Sequence, residues 1–234
     1  MAKLALLPGW GLGHAPLRRL AEQLAQYHEV SLHPLPALPL NEALQQLEQE
    51  IASDSWLLGW SLGGMVATAL AARRQNTCSG LITLASNPCF VAREDWPQAM
   101  PPAEFSLFQR RAQRNWSATM QGFWALCTEG ETSSAWPAVP ATSADEHLPS
   151  LGWLAELDNR EAVRNLLCPQ LHVLAVADGL VPASVAGPLA RLNARAKVQT
   201  LAGSHAFVFS QAAEVAECIQ TFIQQSPNGA EAHV

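Results

Sequence analysis

Apolar positions along the chain fall into two patterns. Short continuous runs, Lys3 to Leu7, Trp56 to Gly59, Leu81 to Ala85 and Gln170 to Val176, are closed by turn residues and read as strands buried on both faces. Val30 to Leu35 alternates instead, and runs into Pro34, Pro36 and Pro39, where no helix can continue. Between these runs, apolar residues recur at helical spacing over Leu17 to Gln26, over a segment capped by Asn41 with Leu44, Leu47 and Ile51 on one face, and over Met65 to Arg73. The same spacing returns in Pro182 to Leu192 and Ala212 to Gln224, on either side of a last strand at Val198 to Leu201. Strands alternating with helices, the strands apolar throughout, predict a doubly wound, mostly parallel α/β sheet covered on both faces.

That alternation stops near Asn87. The next stretch is built of helical fragments rich in Pro and Trp, among them Trp96, Trp116, Trp124, Trp136 and Trp153, and reads as an inserted helical cap. The predicted organisation is a core of residues 1–88 and 160–225, a cap of residues 89–159, and a flexible tail, residues 226–234, without apolar periodicity.

With 234 residues, 49% of them hydrophobic and 15% charged, the chain can bury one substantial core, which excludes a disordered or fibrous protein. A formal charge of -6 argues against general binding to nucleic acid or an anionic membrane, so any contact with an acidic partner needs a local basic patch. No apolar run is long enough to span a bilayer, and Pro8 interrupts the N-terminal stretch too early for a signal peptide; the expected compartment is the cytoplasm. Cys78, Cys89, Cys127, Cys168 and Cys218 are odd in number and scattered, which predicts reduced thiols and neither a disulfide framework nor a metal site.

The chemistry centres on Gly59-Trp60-Ser61-Leu62-Gly63, a G-x-S-x-G sequence between a predicted strand and a predicted helix. Such a turn lifts a serine hydroxyl clear of the backbone, and the glycines let neighbouring chains pass close to it. The helix N-terminus that follows offers free N–H groups where an oxyanion would form. A serine needs a base to take its proton and an acid to orient that base. Asp178 directly follows the strand Gln170 to Val176, and His205 follows Val198 to Leu201, giving the order Ser61, Asp178, His205 at carboxyl ends of strands. Asp158 is the alternative acid. His28, His33 and His172 lie in or beside strands and read as structural, His147 falls in the cap and His233 in the tail, while His14 stands between a pocket contact and a structural role. The loop Pro8-Gly9-Trp10-Gly11 after the first strand supplies a second oxyanion donor, the amide of Trp10, to pair with that of Leu62. Trp10, Trp60, Phe123 and Trp124 are expected to bound an apolar channel, with packing inside the cap as the other role for Phe123 and Trp124.

These residues resemble the α/β-hydrolase superfamily over nearly the whole chain. Within it, the chain is similar to the pimeloyl-[acyl-carrier-protein] methyl ester esterases of bacterial biotin synthesis. The likeness is carried by Gly9-Trp10-Gly11-Leu12, Leu58-Gly59-Trp60-Ser61-Leu62-Gly63-Gly64, Ala85-Ser86-Asn87-Pro88-Cys89-Phe90, Glu94-Asp95-Trp96-Pro97, Phe123-Trp124-Ala125-Leu126 and Asp178-Gly179-Leu180-Val181-Pro182. The resemblance implies Ser61 as nucleophile, Asp178 as acid, His205 as base, Trp10 and Leu62 as oxyanion donors, and Phe123 to Cys127 as a wall of the acyl channel. It implies an acyl-carrier-protein-linked methyl ester as substrate and no metal or organic cofactor. A broad short-chain carboxylesterase or thioesterase, and a non-catalytic binding module of the same fold, are the other readings.

The chain departs from the pattern in three places. Pro8 stands where such enzymes carry His before the Gly, and the chain starts almost at its first parallel strand, so the leading antiparallel hairpin is expected to be absent or very short. In the cap, basic residues suited to an acidic carrier protein are not evident after Phe123. Arg110, Arg111 and Arg114 precede it instead, as a docking cluster or a solvated helix face.

Overall fold

The apolar runs become the strands of a single sheet in a computed structural model, which describes residues 1–131 and 143–227. The strands are β1 (Lys3–Leu7), β2 (Glu29–Leu32), β3 (Trp56–Trp60), β4 (Gly80–Leu84), β5 (Gln170–Ala175) and β6 (Lys197–Leu201). Their order is β2-β1-β3-β4-β5-β6, and every pairing is parallel. β3, β4 and β5 are buried along their full length, as continuous apolar runs require, whereas the edge strands β2 and β6 hold only half-buried and exposed positions. No antiparallel strand pair joins this sheet among the described residues.

Helices flank the sheet. α1 (Arg18–Leu24) packs on α10 (Ala212–Gln225), while α3 (Leu62–Arg74) lies along β1, β3 and β4 beside α2 (Leu40–Glu50) and α7 (Arg160–Asn165). α8 (Ala186–Leu192) covers β6, and the single turn α9 (Phe207–Ser210) links to α10. Three of these elements begin away from their expected starts. α3 starts at Leu62, three residues earlier than apolar spacing predicts, because Gly63 and Gly64 face the sheet and carry no side chain to mark the period. α2 has Pro39 at its N-cap position with no side-chain cap, so Asn41 sits inside the helix and Ile51 just past its end. The turn Ala183–Val185 is 3₁₀, and α8 follows it.

The insertion leaves the sheet after β4 and contains α4 (Pro102–Arg114), α5 (Trp116–Cys127) and α6 (Ala144–Glu156). Its two ends meet: Cys89 and Asp158 form an antiparallel bridge, and Asn159 N–H donates to the Pro88 carbonyl at 2.8 Å. An ionic cluster closes the same base, with Arg160 gripping Asp158 at 2.7 Å and Asp95 at 2.8 Å. Trp136 and most of the segment 226–234 lie outside the described residues.

Candidate active site

Ser61 ends β3 and starts α3 with φ 56° and ψ -121°, a backbone region that L-residues rarely occupy. Surrounding bonds hold it there. Its N–H donates to the Leu84 carbonyl at 2.9 Å, and its own carbonyl accepts from Gly64 N–H at 2.9 Å and from the Ser86 hydroxyl at 2.8 Å. The flanking glycines are required by contact: a Cβ on Gly59 would stand 2.1 Å from the Gly63 oxygen, and one on Gly63 would stand 2.3 Å from the Leu7 oxygen. The loop after β1 therefore passes directly against the turn that carries Ser61. At Gly9 an added Cβ would lie 3.4 Å from the Ser61 Cβ. The amides of Trp10 and Leu62 sit on these two touching segments, and neither donates to a partner among the described residues.

Asp178 and His205 come together from the loops after β5 and β6, which are themselves joined by Ala177 N–H donating to the Gly203 carbonyl at 2.9 Å. Asp178 Oδ1 accepts from Leu180 N–H at 2.8 Å and Val181 N–H at 2.9 Å, leaving Oδ2 to face His205 Nδ1 at 2.8 Å. Both side chains are buried, 0% and 1% exposed. A carboxylate only accepts, so Nδ1 carries the ring proton and Nε2 keeps its lone pair. Nε2 is itself buried and has no hydrogen-bond partner among the described residues. Trp60, the residue before Ser61, donates its indole N–H to the His205 carbonyl at 2.9 Å and lays its ring 5.5 Å from the imidazole. The arrangement holds the His205 imidazole in one orientation, with Nε2 turned away from Asp178, and ties its loop through Trp60 to the strand end that carries the half-buried Ser61.

A cavity of ≈ 560 Å³ opens between the insertion and the β1 loop. Its walls are apolar, with Trp10, Phe90, Phe108, Phe123 and Leu126 contributing, and Glu104, Arg111 and Arg114 supply its charged side chains. Trp10 is the hub: its ring meets Phe108, Trp116 and Phe123 edge to face at 5.4, 5.4 and 5.3 Å, and its indole N–H donates to the His147 carbonyl at 2.8 Å. Of the residues expected around one channel, Trp10 and Phe123 line this cavity, whereas Trp60, Trp124 and Cys127 do not. Trp60 is spent on holding the His205 loop. Cys127 is fully buried, and burial, followed by the charge of Asp178, pushes its thiol pKa well above the ordinary range. Arg110, Arg111 and Arg114 are all exposed near the end of α4, but only Arg111 and Arg114 reach the cavity.

Asp158 lies away from His205, in the ionic cluster at the base of the insertion, where hydrogen bonding by Arg160 holds its carboxyl pKa below the usual range. His172 is buried against Thr83 at 2.7 Å, and burial lowers its pKa to about 4. His33 bonds Ser31 at 2.9 Å, His28 is buried with neither ring nitrogen partnered among the described residues, and His147 stacks on Trp116. His14 is absent from the cavity wall. No group of three His, Cys, Asp or Glu side chains suited to a metal occurs among the described residues, and no helix there is long and apolar enough to cross a membrane. Sequence reasoning passed over the Ser86 hydroxyl under the Ser61 turn and the clamp that Trp60 makes on His205. Ser86 lies in the stretch Ala85-Ser86-Asn87-Pro88-Cys89-Phe90, but nothing local marks its bond to a residue 25 positions earlier.

The model of the alpha/beta hydrolase family matches residues 4–218. A protein of Aeromonas salmonicida named pimeloyl-[acyl-carrier protein] methyl ester esterase is 34% identical, over 94% of this chain and 94% of its own. The biotin biosynthesis bifunctional protein BioHC of Cellvibrio japonicus is 33% identical over 94% of this chain, which spans 47% of that longer relative. Among solved structures, a bromoperoxidase from Bacillus anthracis superposes with a TM-score of 0.83 at 18% identity, covering 96% of this chain and 93% of its own, a likeness of fold alone.

Proposed function

The chain belongs to the α/β-hydrolase family and is a carboxylic ester hydrolase, and from that premise we propose that it cleaves the methyl ester of a pimeloyl chain carried on an acyl carrier protein. Ser61 is the nucleophile in this reading. Its proton passes to Nε2 of His205 as Oγ attacks the ester carbonyl, and Asp178 stabilises the imidazolium through the 2.8 Å contact at Nδ1. The oxyanion lies between the amides of Trp10 and Leu62, the second favoured by the N-terminal end of α3. Collapse expels methanol, which takes the proton back from His205. Water, deprotonated by the same imidazole, then attacks the acyl-enzyme and frees the carboxylate.

The observation that carries the chemistry is the buried Asp178–His205 pair with Nε2 unpartnered, packed on the residue that precedes the strained Ser61. The substrate assignment is supported by the similarity to the Aeromonas salmonicida esterase along nearly all of both chains. The cavity volume falls within the range of about 300–1,000 Å³ common to small-molecule sites, and its apolar walls suit a methylene chain. Arg111 and Arg114 at this cavity would meet an acidic carrier protein, which a chain of net charge -6 needs a local patch to attract.

Growth of a strain that lacks the biotin-pathway methyl esterase, rescued by this chain and not by its Ser61→Ala variant, is the expected result. In parallel, Arg111→Glu with Arg114→Glu should raise KM for the carrier-linked ester, less so at high salt, and leave a small soluble ester unaffected. Ester hydrolysis in vitro without rescue would replace the substrate assignment with a broad short-chain carboxylesterase or thioesterase. Absence of any hydrolysis would return the chain to a binding module.

A further inference from the structure

His205 makes two contacts of its own, to Asp178 and Trp60, but the residues on either side of it are held by the insertion. Before it, Ser204 is fastened to Glu131: Oε1 accepts from the Ser204 amide at 3.0 Å and the Ser204 hydroxyl at 2.7 Å, and from the Ser210 hydroxyl at 3.1 Å. After it, the Ala206 amide donates to the Cys127 carbonyl at the end of α5, at 3.0 Å. The two anchors communicate, because the Ser204 hydroxyl gives its hydrogen to the carboxylate and turns a lone pair to the Ala206 amide at 3.2 Å. Gly203 precedes this pair with φ 106°, a backbone conformation that glycine adopts without the cost a side chain would add.

We propose that Glu131 is a positioning residue for the base: by gathering Ser204 and Ser210 onto one carboxylate oxygen, it fixes the His205 loop to the end of α5. The same helix presents Phe123 and Leu126 to the cavity, so the imidazole takes its place only while that helix is docked. This inference rests on the reading of His205 as the base. Three donors on one ionised oxygen make a strong, directional clip, since charge-assisted bonds hold about twice as firmly as neutral ones.

The test compares Glu131→Ala with Glu131→Gln, using kcat and KM on a small soluble ester and the downfield proton resonance of His205 Nδ1–H. Glu131→Ala should lower kcat by about 10- to 100-fold, the scale of loss from a slightly misplaced catalytic group, with KM little changed and the Nδ1–H resonance broadened or lost. Glu131→Gln keeps an acceptor oxygen and should restore most of kcat and the resonance. A folded Glu131→Ala with kcat within twofold of wild type and an unchanged resonance would overturn the proposal. Should Glu131→Ala fail to fold, Ser204→Ala with Ser210→Ala removes two of the three donors without touching the insertion: the same losses support the clip, and wild-type values overturn it. His205→Ala separates the two layers, because residual wild-type turnover there would remove the base assignment itself, whereas an inactive His205→Ala beside an unaffected Glu131→Ala would remove only the clip.

Discussion

Asparagine at position 178 should disable the site through the tautomer of His205, and the native contacts show why. Oδ1 is fixed by two backbone donors, Leu180 at 2.8 Å and Val181 at 2.9 Å. In Asp178→Asn the amide oxygen must take that place, because an amide nitrogen there would set its hydrogens against both N–H groups. The NH₂ group then faces Nδ1 of His205 across the 2.8 Å contact, and it can only donate. The ring proton therefore moves to Nε2, the nitrogen that has to accept from Ser61. Escape requires the flipped amide, which leaves two buried N–H groups unpaired at about 1–3 kcal/mol each. Together that is about 2–6 kcal/mol, or about 30-fold to 10⁴-fold in rate at about 1.36 kcal/mol per decade. The upper end agrees with the loss of about 10⁴ seen when the equivalent acid of serine proteases is replaced. The assay is kcat on a small soluble ester, with circular dichroism to verify folding. A folded variant within fivefold of wild type would refute the argument, as would loss on Asp158→Asn instead, since Asp158 is engaged with Arg160 and Arg93 at the base of the insertion.

Three further expectations follow from named contacts. Ser61→Ala should keep the fold, abolish labelling by a fluorophosphonate and reduce turnover by several orders of magnitude; labelling that persists would place the nucleophile elsewhere. Gly63→Ala should cost about 3 kcal/mol or more, because its Cβ would meet the Leu7 and Pro8 carbonyl oxygens at 2.3 and 2.5 Å, backbone atoms that cannot swing aside; a wild-type urea midpoint would contradict this. His172 has its pKa lowered by burial from 6.5 to about 4, so between those pH values the unfolded chain binds more protons and stability rises with pH. Acidification across that window should remove up to about 3 kcal/mol, and His172→Gln, measured by urea unfolding at several pH values, should abolish that part of the slope.

Local rules carried the sequence reading a long way in some places and failed in others for identifiable reasons. Continuous apolar runs marked β1, β3, β4 and β5, because a strand covered on both faces has no polar side to break the run. Apolar spacing placed the start of α3 three residues late, since Gly63 and Gly64 pack by having no side chain. Asn41 looked like a cap by residue type, yet the chain turns into α2 at Pro39, whose restricted φ serves the entry. Aromatic character places Trp60 and Trp124 with Trp10 and Phe123, but it carries no information on which way a ring points.

By itself the sequence determined the parallel sheet and the order Ser61, Asp178, His205, as well as the place of each at a strand end. Those features rest on short-range sterics: a two-residue or 3.6-residue period, and a turn that tolerates only glycine beside the serine. Only the tertiary contacts show the Asp178 carboxylate at His205 Nδ1 while Asp158 is held by Arg160, Trp60 clamped on the His205 loop while Trp10 organises the cavity, and Glu131 reaching Ser204. Each of those depends on contacts between residues tens of positions apart. Their energies come from burial and hydrogen-bond geometry that exist only once the strand ends, their loops and the insertion have come together, so no local pattern in the chain encodes them.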